Sequence, residues 1–191
     1  MQKRRMVGVG LGLAMGMIVA GNVPGQAPVA GHTPVAAPAG PVGPAAEVQR
    51  SYAGLKTNIL KAANAMPGDE YNFKPIPEIR TFARVVNHVS EAQLHACGAA
   101  NGTATSAMPT VPPETSDKAT ILQALQESFA ECDKAFAAIT DSNATDMLPL
   151  GAARRSRIGL LWGTVSHDNE QYATLALYMR LKGLLPPSSE K

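Results

Sequence analysis

Histidine is the residue type in this sequence that is best suited to hold a metal ion or to move a proton near neutral pH. His88, His95 and His167 lie in segments with helical periodicity, and Gln171 follows His167 by four positions. Side chains at this spacing share one helix face, with Cβ atoms about 6 Å apart, and such a pair can hold one ion. A third ligand from a facing helix completes a site of this kind, and His88 is the natural candidate. The spacing therefore predicts a metal site made of His88, His167 and Gln171.

The third position weakens this predicted site. Gln171 offers only a neutral amide oxygen, which is a poorer ligand than an imidazole. Imidazole nitrogens suit zinc, nickel, iron or copper, so the ion would be a divalent transition metal. A histidine on a partly apolar helix face is also frequently a hydrogen-bonded core residue, and spacing alone leaves that alternative open.

Other polar residues near these histidines fall outside the predicted ligand set. His95 follows His88 by seven residues, which places it about 10 Å further along the helix axis. Cys97 follows by nine residues and points to the opposite flank, which favours a structural role. On the last helix, we expect Asp168 to be a polar group that supports the site and Glu170 to be a solvated charge.

The N-terminus has the pattern of a secretory signal peptide. Lys3, Arg4 and Arg5 precede an uncharged run over residues 6–20, which small residues follow. A membrane anchor is the alternative, but this run is short of the roughly 20 apolar residues that a spanning helix needs. We therefore predict a cleaved signal over residues 1–21, no stable membrane anchor after cleavage, and a secreted or periplasmic protein.

Charge and motifs exclude several classes of function. Removing three basic residues from 17 leaves 14 against 15 acidic ones, a net charge of −1 for the mature chain. Because no run of Lys and Arg with interleaved aromatic residues remains, nucleic acid is excluded as a partner. The sequence has no GxSxG elbow, no P-loop and no GxGxxG fingerprint after a strand. A small molecule is the partner class that remains.

Prolines separate the N-terminal segment from a helical domain. Residues 22–45 are almost entirely Pro, Ala, Gly and Val, which predicts an extended linker, with His32 a solvated residue inside it. Residues 46–191 form the predicted domain. Apolar positions at helical spacing predict four helices in it, over residues 47–65, from near 78 to 101, from a Ser116 cap to about 140, and over 152–182.

The expected fold class is all-α, a four-helix bundle with a long loop between helices two and three. Residues 101–114 of that loop include three prolines, and the length allows a crossover connection. No run alternates apolar and polar residues long enough to predict a strand. The apolar row predicted for helix three is Leu122, Leu125, Phe129, Cys132, Phe136 and Ile139.

The sequence contains two cysteines, Cys97 and Cys132. An oxidising compartment permits them to pair in a disulfide. Two buried free thiols are the equal alternative, since pairing needs Cα atoms within about 7 Å of each other and the sequence does not show that distance.

Two separated segments resemble a known family. Residues 66–98 contain MPGDEYNFKP and IRTFARVVNHV, and the end of the chain contains HDNEQY and YMRLKGLLPPSS. Both resemble the DinB-like (DinB/YfiT) family of four-helix bundles, in the order that the family has them. The resemblance covers about residues 47–189.

The resemblance implies a fold, a site and an activity. Family members are frequently dimeric, and three histidines hold a divalent metal in them, one from helix two and a pair four residues apart on helix four. His88 matches the first ligand and His167 the second, whereas Gln171 departs from the third. Some members are thiol-dependent transferases or hydrolases. The resemblance therefore implies either a metal-dependent enzyme with a weak third ligand, or a non-catalytic exported bundle that serves as a binding or structural module.

Overall fold

The computed structural model describes residue 40 and residues 42–190. The predicted signal peptide and residues 22–39 of the predicted linker lie outside these residues. Within the described part, four α-helices make up the domain, and their bounds are α1 Pro44–Ala65, α2 Phe82–Asn101, α3 Lys118–Ala138 and α4 Arg157–Leu181. The predicted all-α bundle is confirmed in its helices, with a small hairpin added before α4.

Side-chain caps set where three of the helices begin. Thr81, Asp117 and Ser156 each accept a hydrogen bond from the backbone N–H three residues ahead, at 3.0, 2.9 and 3.2 Å. Such bonds satisfy N–H groups that have no partner within the helix. The predicted starts of these helices, near residue 78, at a Ser116 cap and at residue 152, were wrong by one to five residues.

The first helix begins at Pro44, inside the segment that the sequence predicted to be linker. Proline suits the first turn of a helix, because it has no N–H to leave unsatisfied there. Asp141, which follows α3, accepts a hydrogen bond from the Ala45 N–H at 2.9 Å. Gly43 has a φ of 125°, and a side chain at this position would collide with the Asp141 carboxylate. A contact that is remote in sequence therefore fixes the start of α1.

A β-hairpin that the sequence analysis missed precedes α4. Strands β1 (Met147–Leu150) and β2 (Ala153–Ser156) pair antiparallel, with Leu150 opposite Ala153. Gly151 makes the turn with a φ of 59°, a conformation that favours glycine. Each strand has only four residues, so alternation was too short to detect. Because β2 runs directly into α4, residues 153–156 belong to the hairpin and α4 begins later than predicted.

The helices form a ring in which each packs against two others. The contacts join α1 to α3 and α4, and α2 to α3 and α4, so that α1 and α2 lie diagonally opposite each other. Thr81, which caps α2, bonds to Glu114, shortly before α3, and further along both helices Gln93 bonds to Ser128. Because residue numbers increase in the same direction in both helices, α2 and α3 run parallel. Parallel neighbours need a connection that returns along the bundle. This requirement explains the long loop that the sequence predicted.

Apolar residues from all four helices fill one core. In α3 the buried positions include Leu125, Phe129 and Phe136 as predicted, but Ile121 is buried where Leu122 was expected. A step of four residues from 121 to 125 keeps the row on the core face of a straight α-helix.

Within the described part of the chain, no helix has the length and apolar character that crossing a bilayer requires.

Cys97 of α2 and Cys132 of α3 form a disulfide, with their Cα atoms 4.9 Å apart. Both residues are fully buried. Of the two alternatives that the sequence left open, the structure contains the disulfide. The bond joins the two parallel helices, which residues 102–117 connect.

Removing this disulfide should lower the free energy of unfolding. The bridge closes a segment with a sequence separation of 35, and the loop-entropy relation for this length gives roughly 3–4 kcal/mol. We expect the double variant Cys97→Ala/Cys132→Ala to lose about this much in urea unfolding followed by circular dichroism. Addition of a reducing agent should destabilise the wild type and leave the double variant unchanged, and equal stability of the two oxidised proteins would contradict the prediction.

Candidate functional site

The bundle brings His88 of α2 and His167 of α4 into contact. Their Nε2 atoms lie 3.2 Å apart, and the two rings meet edge to face. Each side chain is 27% exposed, so the pair is open to solvent on one side. The contact arises because α2 and α4 run antiparallel: Arg157, at the start of α4, also bonds to the carbonyl of Ala100, near the end of α2. The sequence analysis predicted that these two histidines lie close together, and in the structure their rings are in contact.

Carboxylates face the other nitrogen of each ring. The Nδ1 of His167 lies 3.2 Å from Asp168 Oδ1, and the Nδ1 of His88 lies 3.7 Å from Glu91 Oε2. A carboxylate that accepts a hydrogen bond from Nδ1 of an imidazole holds the proton there, and Nε2 then presents its lone pair. The Asp168 contact favours this tautomer for His167, whereas 3.7 Å is too long for a hydrogen bond between His88 and Glu91. The two Nε2 atoms lie at hydrogen-bond distance from each other, with one ring as donor and the other as acceptor.

The spacing of the pair fits two ligands of one metal ion. Two nitrogens bound at 2.0–2.1 Å with a tetrahedral angle lie about 3.3 Å apart. The observed separation of the Nε2 atoms is 3.2 Å. Metal-bound histidines also typically donate their second ring N–H to a carboxylate or carbonyl, as His167 is placed to do toward Asp168. The separation of the histidine pair is therefore compatible with two ligands of one metal ion as well as with a hydrogen bond between the rings.

Gln171 lies one turn beyond His167 on the same face of α4 and is buried, with 5% of its surface exposed. In the described part of the chain, its amide has no hydrogen-bond partner. No group of three or more His, Cys, Asp or Glu residues is placed to hold a metal ion among residues 42–190. The strong donors of the candidate site are thus the two imidazoles, and the third position carries a neutral amide.

Asp168 anchors the site to the core. Only 1% of its surface is exposed, and its Oδ2 accepts a hydrogen bond of 2.6 Å from the Gln93 amide of α2. Gln93 in turn accepts one of 2.8 Å from the Ser128 hydroxyl of α3. A continuous chain of buried polar contacts therefore links α4, α2 and α3 and ends at the His167 ring. Burial raises the pKa of Asp168, and the hydrogen bonds from His167 and Gln93 oppose that rise.

The surroundings of His88 favour the neutral form of its ring. Burial lowers its pKa below the ordinary value, and the positive charge of Arg80 and the neighbouring His167 lower it further, against the opposing effect of Glu91. A neutral imidazole is the form that binds a metal, because binding requires the lone pair. Glu91 also pairs with Arg84 at 2.9 Å, so its carboxylate is held in place beside the ring.

Sequence reasoning placed some of these residues correctly and missed others. His95 is exposed and does not join the pair, and Glu170 is exposed, as predicted. Asp168 supports His167, also as predicted. Gln93 and Ser128 were missed, since they reach the site through contacts 75 and 35 residues apart in sequence. Their one signal in the sequence is a polar residue at a core position of a helix.

A comparison with family models decides the relationship of the chain. The model of the DinB superfamily matches residues 51–175, which include both histidines, Gln171 and all of α2 and α3. The chain belongs to the DinB superfamily. No curated protein matches it significantly.

Solved structures share the fold of this DinB-superfamily protein at low sequence identity. A DinB-like protein from Bacillus cereus ATCC 10987 aligns with a TM-score of 0.57 and 17% identity, over 73% of this chain and 93% of that one. A DinB-like protein from Bacillus subtilis aligns with a TM-score of 0.57 and 16% identity, over 76% and 99%. A conserved protein from Enterococcus faecalis gives 0.56 and 14%, over 71% and 95%. At this identity the likeness concerns the fold alone.

Replacing Gln93 should destabilise the protein by way of its buried partners. Gln93→Ala removes the donor to Asp168 and the acceptor of Ser128, and a buried polar group left without a partner costs about 1–3 kcal/mol. We expect a loss of this size in urea unfolding.

Gln123→Ala on α3 is the matched control for this variant. Gln123 is exposed and bonds only to Glu127 one turn away, so its loss should change stability by less than about 0.5 kcal/mol. Equal effects of the two substitutions would show that the buried chain of contacts contributes nothing specific.

Proposed function

We propose that this DinB-superfamily protein is exported and binds a divalent metal ion between His88 and His167, with Gln171 as a weak third ligand. The observation that carries the proposal is the pair of Nε2 atoms 3.2 Å apart, each on a ring whose Nδ1 faces a carboxylate. Zinc, nickel and iron suit two imidazoles and an amide oxygen. The DinB-superfamily model covers the positions of all three residues.

A site of this composition supports hydrolytic chemistry better than thiol transfer. When bound, a divalent metal supplies a Lewis acid that lowers the pKa of a water or thiol. Reduced thiols are scarce outside the cytoplasm, so water is the favoured nucleophile for an exported protein. Asp168 orients His167, and the surroundings of His88 lower its pKa, which favours the neutral form that a metal ligand requires.

A second candidate is a non-catalytic bundle that serves as a binding or structural module. The observation in its favour is the chemistry at position 171, where a neutral and buried amide stands beside two strong donors. Two imidazoles and one amide bind an ion less tightly than three imidazoles. A pocket that keeps its shape without holding a metal would still accept a small molecule.

Metal titration separates the two candidates. We expect the wild-type protein, first treated with a chelator, to bind Zn²⁺ in isothermal titration calorimetry, and His167→Ala to bind at least about tenfold more weakly. Gln171→His should bind at least about tenfold more tightly, because an imidazole replaces an amide oxygen.

The matched control adds a histidine elsewhere on α4. Asn169→His places an imidazole on the exposed side of the helix, two positions from Gln171, and should leave the affinity of the site unchanged. A wild type that takes up no Zn²⁺, Ni²⁺ or Fe²⁺ while Gln171→His binds tightly would reject the metal-binding proposal and favour the second candidate.

Export is tested separately from metal binding. In a bacterial host with a periplasm, we expect the protein to accumulate outside the cytoplasm with a mass that corresponds to removal of residues 1–21. Leu13→Arg places a charge in the middle of the apolar run and should leave the full-length protein in the cytoplasm. A wild type that keeps residues 1–21 after fractionation and mass spectrometry would contradict the proposed export.

A further inference from the structure

A cavity of about 230 Å³ lies along the seam between α2 and α4, immediately beside His167. The seam is open there because its residues are small: Ala92 and Ala96 face it from α2, and Gly163 from α4. Helices packed at ordinary separation leave unfilled space where neither contributes a large side chain. Leu150 and Arg155, from the hairpin, complete its wall.

Arg155 is the charged side chain that lines this cavity, beside the imidazoles of His95 and His167. The lining contains no aspartate or glutamate. The Arg155 Nη1 atom lies 3.8 Å from the point that a Cβ at position 163 would occupy, so the guanidinium extends over the seam one turn from His167. A guanidinium stays protonated and presents a planar fork that matches a carboxylate.

The two arginines of the hairpin differ in what they contact. Arg154 donates a hydrogen bond of 3.0 Å to the Met147 carbonyl across the hairpin. Among the described residues, the Arg155 side chain has neither a hydrogen bond nor an ion pair, while its backbone pairs with Leu148 in the hairpin. Its charge is thus available to a ligand in the cavity, whereas that of Arg154 is directed toward the hairpin itself.

We propose that this cavity binds a small monocarboxylate with an apolar chain. The carboxylate pairs with Arg155, the chain packs against Ala92, Ala96 and Leu160, and the far end of the molecule reaches His167. At about 30 Å³ for each water in the liquid, the cavity has room for about seven or eight waters, which suits a molecule of about eight to ten non-hydrogen atoms. The role of the end at His167 rests on the proposed metal site, but the binding of the carboxylate does not.

The test uses hexanoate as the probe, with the full chain as it is purified. Calorimetric titration is carried out on chelator-treated protein and again on protein with Zn²⁺ added. We expect hexanoate to bind in both conditions, and Arg155→Gln to weaken binding about tenfold or more, because a charge-assisted hydrogen bond is lost. Arg154→Gln is the matched control and should bind within about twofold of wild type, since Arg154 contacts the hairpin.

A second pair of variants tests the location of the probe. Gly163→Leu fills the seam and should abolish binding, and the Arg155 atom at 3.8 Å leaves room for its Cβ. Gly54→Leu is the control on α1, where a Cβ meets nothing within 4 Å. Hexan-1-ol, which has the same chain without the charge, should bind at least about tenfold more weakly than hexanoate.

Several outcomes would overturn the inference. Equal affinity of Arg155→Gln and wild type would remove the arginine from the site, and hexanoate binding that survives Gly163→Leu would place it elsewhere. Hexanoate that binds only when Zn²⁺ is present, and equally to Arg155→Gln, would mean that the carboxylate ligates the metal. A protein that binds hexanoate without metal and takes up no Zn²⁺ would reject the proposed metal site and keep the carboxylate site, so the two failures are distinguishable.

Discussion

The buried carboxylate of Asp168 is the constraint on which the arrangement of the candidate site depends. A charged or polar group with 1% of its surface exposed is costly unless it is hydrogen-bonded, so the protein must place donors around it. One donor is His167 on the same helix, and the other is Gln93 on α2, which Ser128 of α3 holds in turn. Satisfying one side chain therefore fixes the relative positions of three helices. The same contacts direct the His167 ring toward His88.

The parallel packing of α2 and α3 gives this arrangement its rigidity. The Cys97–Cys132 disulfide joins these helices one turn beyond the contact between Gln93 and Ser128, so a covalent bond supports the polar one. On the other side, α2 packs against α4 through alanines and a glycine in the segment next to His167, and this leaves the cavity beside the histidine pair. One side of α2 is thus closely joined to its neighbour, and the other leaves space for a ligand.

The proposed metal site gives Gln171 a role that is separate from the architecture of the bundle. In that proposal Gln171 supplies a neutral amide at the third ligand position, whereas other residues make the caps of the helices. A glutamine is close to a histidine in size, and the core holds Gln171 at 5% exposure. The residues proposed to bind the metal are therefore distinct from those that fix where the helices begin.

The sequence by itself determined the helical class, the long loop between helices two and three and the stripe on α4 that carries His167 and Gln171. Those features follow from local periodicity and from prolines, which act over a few residues. The convergence of His88 and His167 was anticipated from helix geometry, while the Gln93–Ser128 contacts, the choice of the disulfide and the ring order of the helices were not. These features depend on contacts between residues 35 to 79 positions apart. The sequence analysis missed the hairpin because four-residue strands are too short to show a periodicity. It missed the cavity because empty space between helices exists only once the helices are packed.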